Sequence, residues 1–310
     1  MHNPFPSPRE AVEICRTRGY DFLGITDHDN RYSQLPWSNN DWSACKETFI
    51  DFPVIQGFEM SHPAGHITCL GVFPWETGLD LSNNFPAHLN NENDILKAKV
   101  EVVERVFDSY LENALEMGAF LVLNHPAQWR ENIRGLVGLD TLKLLHSIEV
   151  YNGNRLKKGN AEAYTGDIYD FCLSNGFKIW ASASPDCHTW DISAFDSPFN
   201  GYAVVFSEEL SSTAILSSLR EGRFYASTGL EVDKIKITGK ILEVCSPGCK
   251  RISFIGGNGK LLAEVNGPAA CYEFSGTEKY VRVELESDSQ HNPNNANFPA
   301  KAWLQLVWIE

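Results

Sequence analysis

The chain has 310 residues, 43% hydrophobic and 21% charged, which is the balance of a globular protein with room for one barrel and a small second domain. Its formal net charge of −14 excludes binding of nucleic acid through the surface as a whole. No apolar run is long enough to span a bilayer, and the start of the chain lacks a signal-peptide pattern. We therefore expect a cytoplasmic protein with no membrane partner.

The eight cysteines are scattered along the chain, and Cys69, Cys172 and Cys271 lie inside apolar runs. This distribution favours reduced thiols that pack as small hydrophobic side chains. Cys245 and Cys249 are close enough in sequence to form a disulfide or bind a metal, but without a second pair they are weak evidence for a zinc site.

A helix followed by a strand is predicted at the start of the chain. Ser7 and Glu10 have the spacing of a capping box, and Gly19 ends the helix. The apolar run at 20–25 predicts a buried strand that delivers the polar triplet 27–29 to its carboxyl end. In α/β barrels this end of the strands carries the chemistry.

Strands alternating with helices are predicted as far as residue 221. The predicted strands are 52–59, 65–72, 119–123, 147–151, 177–183 and 202–206, and the predicted helices are 95–117, 139–145, 160–174 and 211–221. This alternation indicates βα units and a largely parallel sheet, and the number of units favours a closed or nearly closed barrel. Residues 31–48 are expected to lie over the barrel mouth, and 78–94 to form an insertion that shapes the pocket.

The sequence pattern changes near residue 229, after which short alternating runs dominate and no helix is predicted. The predicted strands are 232–237, 241–245, 251–255, 260–265, 271–274, 280–286 and 303–309. The glycine-rich segment 256–259 predicts a hairpin turn. Seven short strands with regular turns predict a β-sandwich.

Six residues at the ends of the predicted barrel strands have side chains that bind divalent metals. They are His28, Glu59, His66, His125, Asp186 and His188. Each one alone could be explained by a turn, a cap or core packing. Together, imidazoles and carboxylates at one barrel mouth predict a site for zinc, iron or manganese, which accept mixed nitrogen and oxygen ligands. Such ions activate water for attack on a phosphoryl group.

The ordered motifs resemble those of the PHP (polymerase and histidinol phosphatase) superfamily over residues 7–225. The motifs are Ile25-Thr26-Asp27-His28, Gly57-Phe58-Glu59, Gly65-His66, Asn124-His125-Pro126 and Ser184-Pro185-Asp186-Cys187-His188. The resemblance implies an α/β fold with a distorted (βα)7 barrel and a multinuclear metal centre that hydrolyses phosphoesters. The tail is similar to the C-terminal β-domain of two-domain members through 222–229 and 302–308.

The resemblance also implies roles for individual residues. The metal ligands would be His28, Glu59, His66, His125, Asp186 and His188. Asp27 and His188 are the predicted catalytic residues, Asp27 by orienting or bridging the metals, and Asn152 is the predicted substrate-binding residue. The expected domains are a phosphoesterase barrel at 1–226 and a small all-β sandwich at 227–310.

The family pattern begins with a strand that ends in His-x-His, whereas this sequence begins at Met1-His2-Asn3-Pro4, where the following turn is usual. Either the start of the gene is assigned too late or this copy lacks the motif. We therefore expect a barrel whose first strand is missing or truncated, two or fewer zinc, manganese or iron ions, and weak or no turnover unless a strand with His-x-His is added.

The sequence thus predicts metal-dependent hydrolysis of a phosphoester in a small phosphorylated metabolite or nucleotide, by metal-activated water. The alternative is a catalytically weakened binding or interaction protein with a partial metal site. An amidohydrolase-type deacylase also uses a barrel with His and Asp ligands, but the pairing of Asp186 with His188 fits it less well. The sequence leaves open whether the chain forms a homo-oligomer.

Overall fold

The computed structural model describes residues 6–28, 49, 51–62, 65–72, 100–129, 141–190, 197–288 and 298–309. The segments predicted at 31–48 and 78–94 lie outside these residues. The chain divides into two compact units. The first unit comprises Met1–Asn124, Glu131–Ser147 and Ser207–Arg220, and the second comprises His125–Arg130, Ile148–Phe206 and Glu221–Glu310.

The secondary structure of the described residues combines helices and strands. The α-helices are α1 (Pro8–Thr17), α2 (Val100–Glu116), α3 (Thr141–Leu144), α4 (Asn160–Ala163), α5 (Gly166–Ser174) and α6 (Ser212–Arg220). The strands are β1 (Leu23–Ile25), β2 (Val54–His62), β3 (Gly65–Leu70), β4 (Phe120–Leu123), β5 (Ser147–Asn152), β6 (Trp180–Ser184), β7 (Tyr202–Val205), β8 (Phe224–Ser227), β9 (Lys234–Thr238), β10 (Ile241–Cys245), β11 (Arg251–Gly256), β12 (Lys260–Asn266), β13 (Ala269–Glu273), β14 (Tyr280–Glu286) and β15 (Lys301–Trp308). Short 3-10 helices occur at Pro126–Trp129, Asn154–Lys158 and Gly257–Gly259.

Helix α1 of the first unit begins with the predicted capping box, which is confirmed. The backbone N–H of Glu10 donates to Ser7 Oγ, and the Ser7 N–H donates to the Glu10 carboxylate at 2.8 Å. Ala11, Val12 and Cys15 form the buried face of the helix. This cap fixes the start of the helix that leads into β1.

The sheet of the first unit is less parallel than the sequence pattern predicts. β1 and β2 are parallel, but β2–β3 and β3–β4 are antiparallel. Because only residues 63 and 64 separate β2 from β3, the connection is too short for the crossover that parallel strands need. β3 therefore runs in the reverse direction. Its first residues lie at the edge where β2 ends.

In the second unit, β5 and β6 are neighbours, and every residue of β5 is buried. The single helix predicted at 160–174 is divided into α4 and α5. Tyr164, between them, is extended and forms an isolated bridge with Tyr151. Thr165 Oγ1 donates to the Glu149 carbonyl at 2.6 Å, which ties this break to β5.

Two antiparallel sheets complete the second unit and pack as a sandwich. One sheet has the strand order β13-β10-β9 and the other β12-β11-β14-β15-β8-β7. Leu242 and Val244 from the smaller sheet share one core with Phe254, Val283 and other residues of the larger sheet. The larger sheet includes β7, which pairs antiparallel with β8 instead of continuing the predicted parallel pattern. The domain boundary expected at residue 227 falls at the end of β8 and stays a prediction.

A buried ion pair fastens α5 to β14 within the second unit. Arg282 donates from Nε to Asp170 Oδ1 and from Nη2 to Asp170 Oδ2, both at 2.7 Å. The Tyr280 hydroxyl also donates to Asp170 Oδ1, at 3.0 Å. Desolvation works against the positive charge of Arg282, but its bonds to Asp170 and Glu284 outweigh it and raise the pKa of the guanidinium. The guanidinium of Arg282 therefore stays charged inside the protein.

None of the cysteines in the described part of the chain forms a disulfide, and this includes Cys245 and Cys249. Burial raises the pKa of Cys15 to about 11 and that of Cys172 to about 12, so these two thiols are unreactive at neutral pH. Among the helices that the structure describes, none has both the length and the apolar character needed to cross a membrane.

Candidate metal centre

His28 and Glu59 are brought together by the parallel pairing of β1 with β2. The register places Leu23 opposite Val54, and His28 forms a bridge with Glu59 at the same offset along the chain. The Glu59 N–H donates to the Asp27 carbonyl at 2.9 Å. The parallel register thus places a histidine beside a carboxylate.

His66 joins this pair from the antiparallel strand β3. Glu59 lies opposite Thr68, and Ser61 lies opposite His66. Residues opposite each other, and residues two apart in one strand, lie on the same face of a sheet. Glu59 and His66 are therefore diagonal neighbours on one face. The reversed direction of β3 explains why its ligand candidate comes at the start of the strand.

The three side chains form a compact group. Glu59 Oε1 is 2.8 Å from His66 Nδ1, and Glu59 Oε2 is 3.4 Å from His28 Nδ1. One ligand atom from each residue lies within 4.8 Å of the others, and the residue Glu59 is only 7% exposed. The imidazole rings of His28 and His66 meet edge to face, with centroids 5.8 Å apart. The side chain of His28 is 41% exposed, so the group is open to solvent on that side.

This group fits a divalent metal ion by its chemistry. Two imidazole nitrogens and one carboxylate are a donor set that zinc, iron and manganese accept. His66 Nδ1 and Glu59 Oε1 lie at hydrogen-bond distance, so in the absence of an ion a proton on Nδ1 can donate to the carboxylate.

Asn124 lies beside the face of the first unit's sheet that carries Glu59 and His66. Its N–H donates to the His66 carbonyl at 2.9 Å, and its Nδ2 donates to Thr68 Oγ1 at 3.0 Å. The residue is 6% exposed, and its Oδ1 accepts no hydrogen bond within the described residues. The amide thus fixes the strand end beside His66 and keeps an acceptor oxygen inside the protein.

Asp27, one of the two predicted catalytic residues, is exposed when the whole residue is considered. Its carboxyl group is nevertheless partly desolvated by neighbouring protein atoms, which raises its pKa, and the charge of His28 offsets part of this effect. Its part in binding or orienting a metal stays a prediction.

The second unit carries the other predicted ligands, beginning with His125. Its φ of 32° lies in the left-handed region, which is uncommon for histidine. The backbone N–H of His125 donates to Glu149 Oε2 at 2.6 Å, and Asn152 Nδ2 donates to the same oxygen at 2.8 Å. Strained backbone of this kind concentrates at functional sites, where surrounding bonds hold it.

Asp186 and His188 form a close pair in the second unit. His188 Nδ1 is 3.3 Å from Asp186 Oδ1 and 2.7 Å from the Asp186 carbonyl oxygen. This proximity does not come from alternation along a strand. β6 ends at Ser184, and Asp186 is left-handed with a φ of 50°. A turn after Pro185 brings the two side chains together instead.

Asn152, the predicted substrate-binding residue, is 1% exposed. Its Nδ2 donates to Glu149, and its Oδ1 accepts the N–H of Arg155 at 3.2 Å. These bonds organise the end of β5. A role in binding substrate stays a prediction.

Two residues of this region were missed in the sequence analysis. Glu149 is a buried carboxylate that holds the backbone of His125. Asn154 Nδ2 donates to Asp186 Oδ2 at 3.2 Å. A carboxylate inside the fully buried strand β5 was the available signal for Glu149, whereas Asn154 resembles any polar turn residue.

Comparisons with known proteins found distant structural similarity. A crystal structure of a two-domain protein containing a predicted PHP-like metal-dependent phosphoesterase, from Bacteroides vulgatus ATCC 8482, is 15% identical, with a TM-score of 0.49 over 98% of this chain and 91% of that one. A candidate metal-dependent phosphoesterase from Bifidobacterium adolescentis ATCC 15703 is 14% identical, with a TM-score of 0.30 over 57% of this chain and 82% of that one. No family model and no curated protein matches the chain.

Proposed function

We propose that this protein is a metal-dependent phosphoesterase that hydrolyses a small phosphorylated metabolite or nucleotide. The observation that carries the proposal is the group of His28, Glu59 and His66 at one edge of the first unit's sheet. Three protein ligands that leave positions open for water are typical of catalytic metal sites, whereas structural sites are closed by four. The ordered motifs that resemble the PHP superfamily support the same reaction class.

In this proposal, His28, Glu59 and His66 hold one divalent ion, and His125, Asp186 and His188 contribute to the rest of the centre. A bound divalent ion would supply Lewis acidity, which activates water and offsets the charge that develops on a phosphoryl group. Zinc, manganese and iron all suit the ligands. A distorted (βα)7 barrel that gathers all six residues at one mouth is part of the proposal.

His188 is suited to holding a proton or a metal at a defined atom. A carbonyl oxygen only accepts, so the 2.7 Å contact with the Asp186 carbonyl places the hydrogen on His188 Nδ1. Nε2 is then the nitrogen with a lone pair. We assign His188 Nε2 to ligation or proton transfer, and Asp186 to fixing the ring and its tautomer.

The test is hydrolysis of p-nitrophenyl phosphate and of several nucleoside monophosphates by the purified chain, with manganese or zinc added. We expect turnover that requires metal and is lost in Glu59→Gln and His188→Ala. Glu264→Gln, an exposed change in the β-sandwich, serves as the matched control. Turnover that persists in Glu59→Gln and His188→Ala, or that needs no metal, would contradict the proposal.

A further inference from the structure

We infer that the turn Asn154–Lys158, chiefly through the side chain of Arg155, binds the phosphate dianion of a phosphomonoester. The inference rests on the proposed function and makes it more specific: the substrate would carry a terminal phosphate and not a bridging diester. Three features of the second unit support it: the position of the turn, the partners of Arg155 and the local charge.

The turn is attached directly to the predicted ligand pair. It follows the end of β5, and the Asn154 N–H donates to the Pro185 carbonyl at 3.1 Å. Asn154 Nδ2 contacts Asp186 Oδ2 at 3.2 Å and lies 3.4 Å from His188 Nδ1. Residues of this turn therefore adjoin Asp186 and His188.

Arg155 is held in place by neutral groups. Its N–H donates to Asn152 Oδ1, and its Nη2 donates to the side-chain oxygen of Gln128, three residues after His125. Its guanidinium thus lies against the short helix that follows His125. Its neighbour in the chain, Asn154, contacts Asp186 and His188. Nε is buried and donates no hydrogen bond within the described residues.

The contrast with Arg282 shows what is unusual about Arg155. Arg282 is buried and forms ion pairs with Asp170 and Glu284. In the part of the chain that the structure describes, no carboxylate forms an ion pair with Arg155, although the protein has 40 acidic residues. A guanidinium presents five donors in a planar fork that matches phosphate oxygens. Arg155 therefore has donors to offer to an anion.

The charge of the turn favours a dianion. Arg155, Lys157 and Lys158 place three basic side chains within four positions of a chain whose net charge is −14. Both lysines are exposed and raise the positive potential around the guanidinium. A monoester phosphate carries about twice the charge of a diester at neutral pH, so its attraction to these cations is about twice as large.

The direct test is isothermal titration of the manganese-loaded protein with inorganic phosphate. We expect Arg155→Gln to weaken phosphate binding by about 10- to 100-fold, the range for loss of a charge-assisted hydrogen bond. Arg155→Lys should fall in between, because an ammonium group cannot bind bidentately. Lys250→Gln, which removes one positive charge from the β-sandwich, should bind phosphate like the wild type. Manganese content should be unchanged in every variant.

Hydrolysis assays then separate this inference from the proposed function. Arg155→Gln should raise KM for p-nitrophenyl phosphate and have a smaller effect on bis(p-nitrophenyl) phosphate. If the wild type hydrolyses neither ester but binds phosphate through Arg155, the proposed function is wrong and the inference holds. If the wild type hydrolyses an ester, and Arg155→Gln binds phosphate as tightly as the wild type, the inference is wrong and the function holds. Should Arg155→Gln fail to fold, the same comparisons are made with Arg155→Lys, which keeps the stem and the charge.

Discussion

Glu59 and His66 contact each other across the hairpin of β2 and β3, with Oε1 and Nδ1 2.8 Å apart. The contact exists because the two strands are antiparallel and place these residues diagonally on one face. The Glu59 carboxylate also reaches His28 from the parallel side of the sheet, at 3.4 Å. The buried carboxylate of Glu59 thus contacts both histidines. Mutations that change this carboxylate or its position should therefore affect metal binding.

Replacing the charge of Glu59 should weaken metal binding. Glu59→Gln keeps the shape of the side chain but removes the negative charge that offsets a divalent cation. We expect the affinity for zinc or manganese at this site to fall by at least about tenfold. Metal titration followed by elemental analysis measures the change, with Glu264→Gln as the control. Unchanged stoichiometry and affinity in Glu59→Gln would show that Glu59 is not part of a metal site.

Two glycines of the same hairpin should respond very differently to an added methyl group. A Cβ on Gly57 would lie 2.5 Å from the Cys69 carbonyl oxygen, a backbone atom that cannot move without displacing β3. A Cβ on Gly65 would lie 3.6 Å from a side-chain atom of Leu123, which is ordinary contact. We expect Gly57→Ala to destabilise the protein by about 1–3 kcal/mol and to weaken metal binding. Gly65→Ala should change neither property.

Urea unfolding and metal titration of the two glycine variants provide the measurement. Equal effects in Gly57→Ala and Gly65→Ala would mean that close packing of β2 on β3 does not set the position of Glu59.

Much of the first unit's site could be predicted from the sequence, because its residues follow apolar runs. His28 and Glu59 come at the ends of such runs, and parallel strands bring these ends to one edge. The antiparallel direction of β3 was not predicted, because the sequence analysis expected a largely parallel sheet and did not consider the two-residue connection before β3. The position of His66 at the start of its strand already indicated the reversal.

The second unit shows where local patterns fail. The proximity of Asp186 to His188 depends on a left-handed residue after Pro185, which alternation along a strand does not predict. The pairing of β7 with β8 is a long-range contact in the chain, and helix α6 between them made β7 resemble one more βα unit. Tertiary pairing therefore overrode local periodicity in both places.

The buried ion pair of Asp170 and Arg282 should be important for stability. Asp170→Asn would leave the Arg282 guanidinium buried without its main counter-charge, and Glu284 would remain as a partial one. We expect the free energy of unfolding to fall by about 3 kcal/mol. Chemical denaturation measures this loss. Glu264→Gln, in an exposed pair with Arg251, should cost less than about 1 kcal/mol. A loss of that size in Asp170→Asn would show that the buried pair is dispensable.

His146 should make the protein sensitive to acid. Its ring packs on Phe120, and its Nδ1 accepts the N–H of Leu121 at 3.1 Å. Desolvation, helped by the charge of Arg220, lowers the pKa of His146 from 6.5 to about 4. Between these pH values the unfolded chain binds a proton that the folded chain does not, so stability should fall as the pH drops from 6.5 towards 4.

His146→Asn tests this pH dependence, because an amide oxygen can replace Nδ1 as an acceptor but does not titrate. Urea unfolding at several pH values between 4 and 7 should show a smaller loss of stability in the variant than in the wild type. Identical pH profiles would mean that His146 titrates normally in the folded protein.

Stepwise addition of manganese or zinc to the metal-free protein, with hydrolysis of p-nitrophenyl phosphate measured at each step, is the most direct test of the central claim. We predict that the rate is zero without metal, rises in proportion to the metal bound at His28, Glu59 and His66, and stays well below the wild-type rate throughout the same titration of Glu59→Gln. Hydrolysis by the metal-free protein would contradict the claim. So would full occupancy of these three ligands without hydrolysis of any phosphoester.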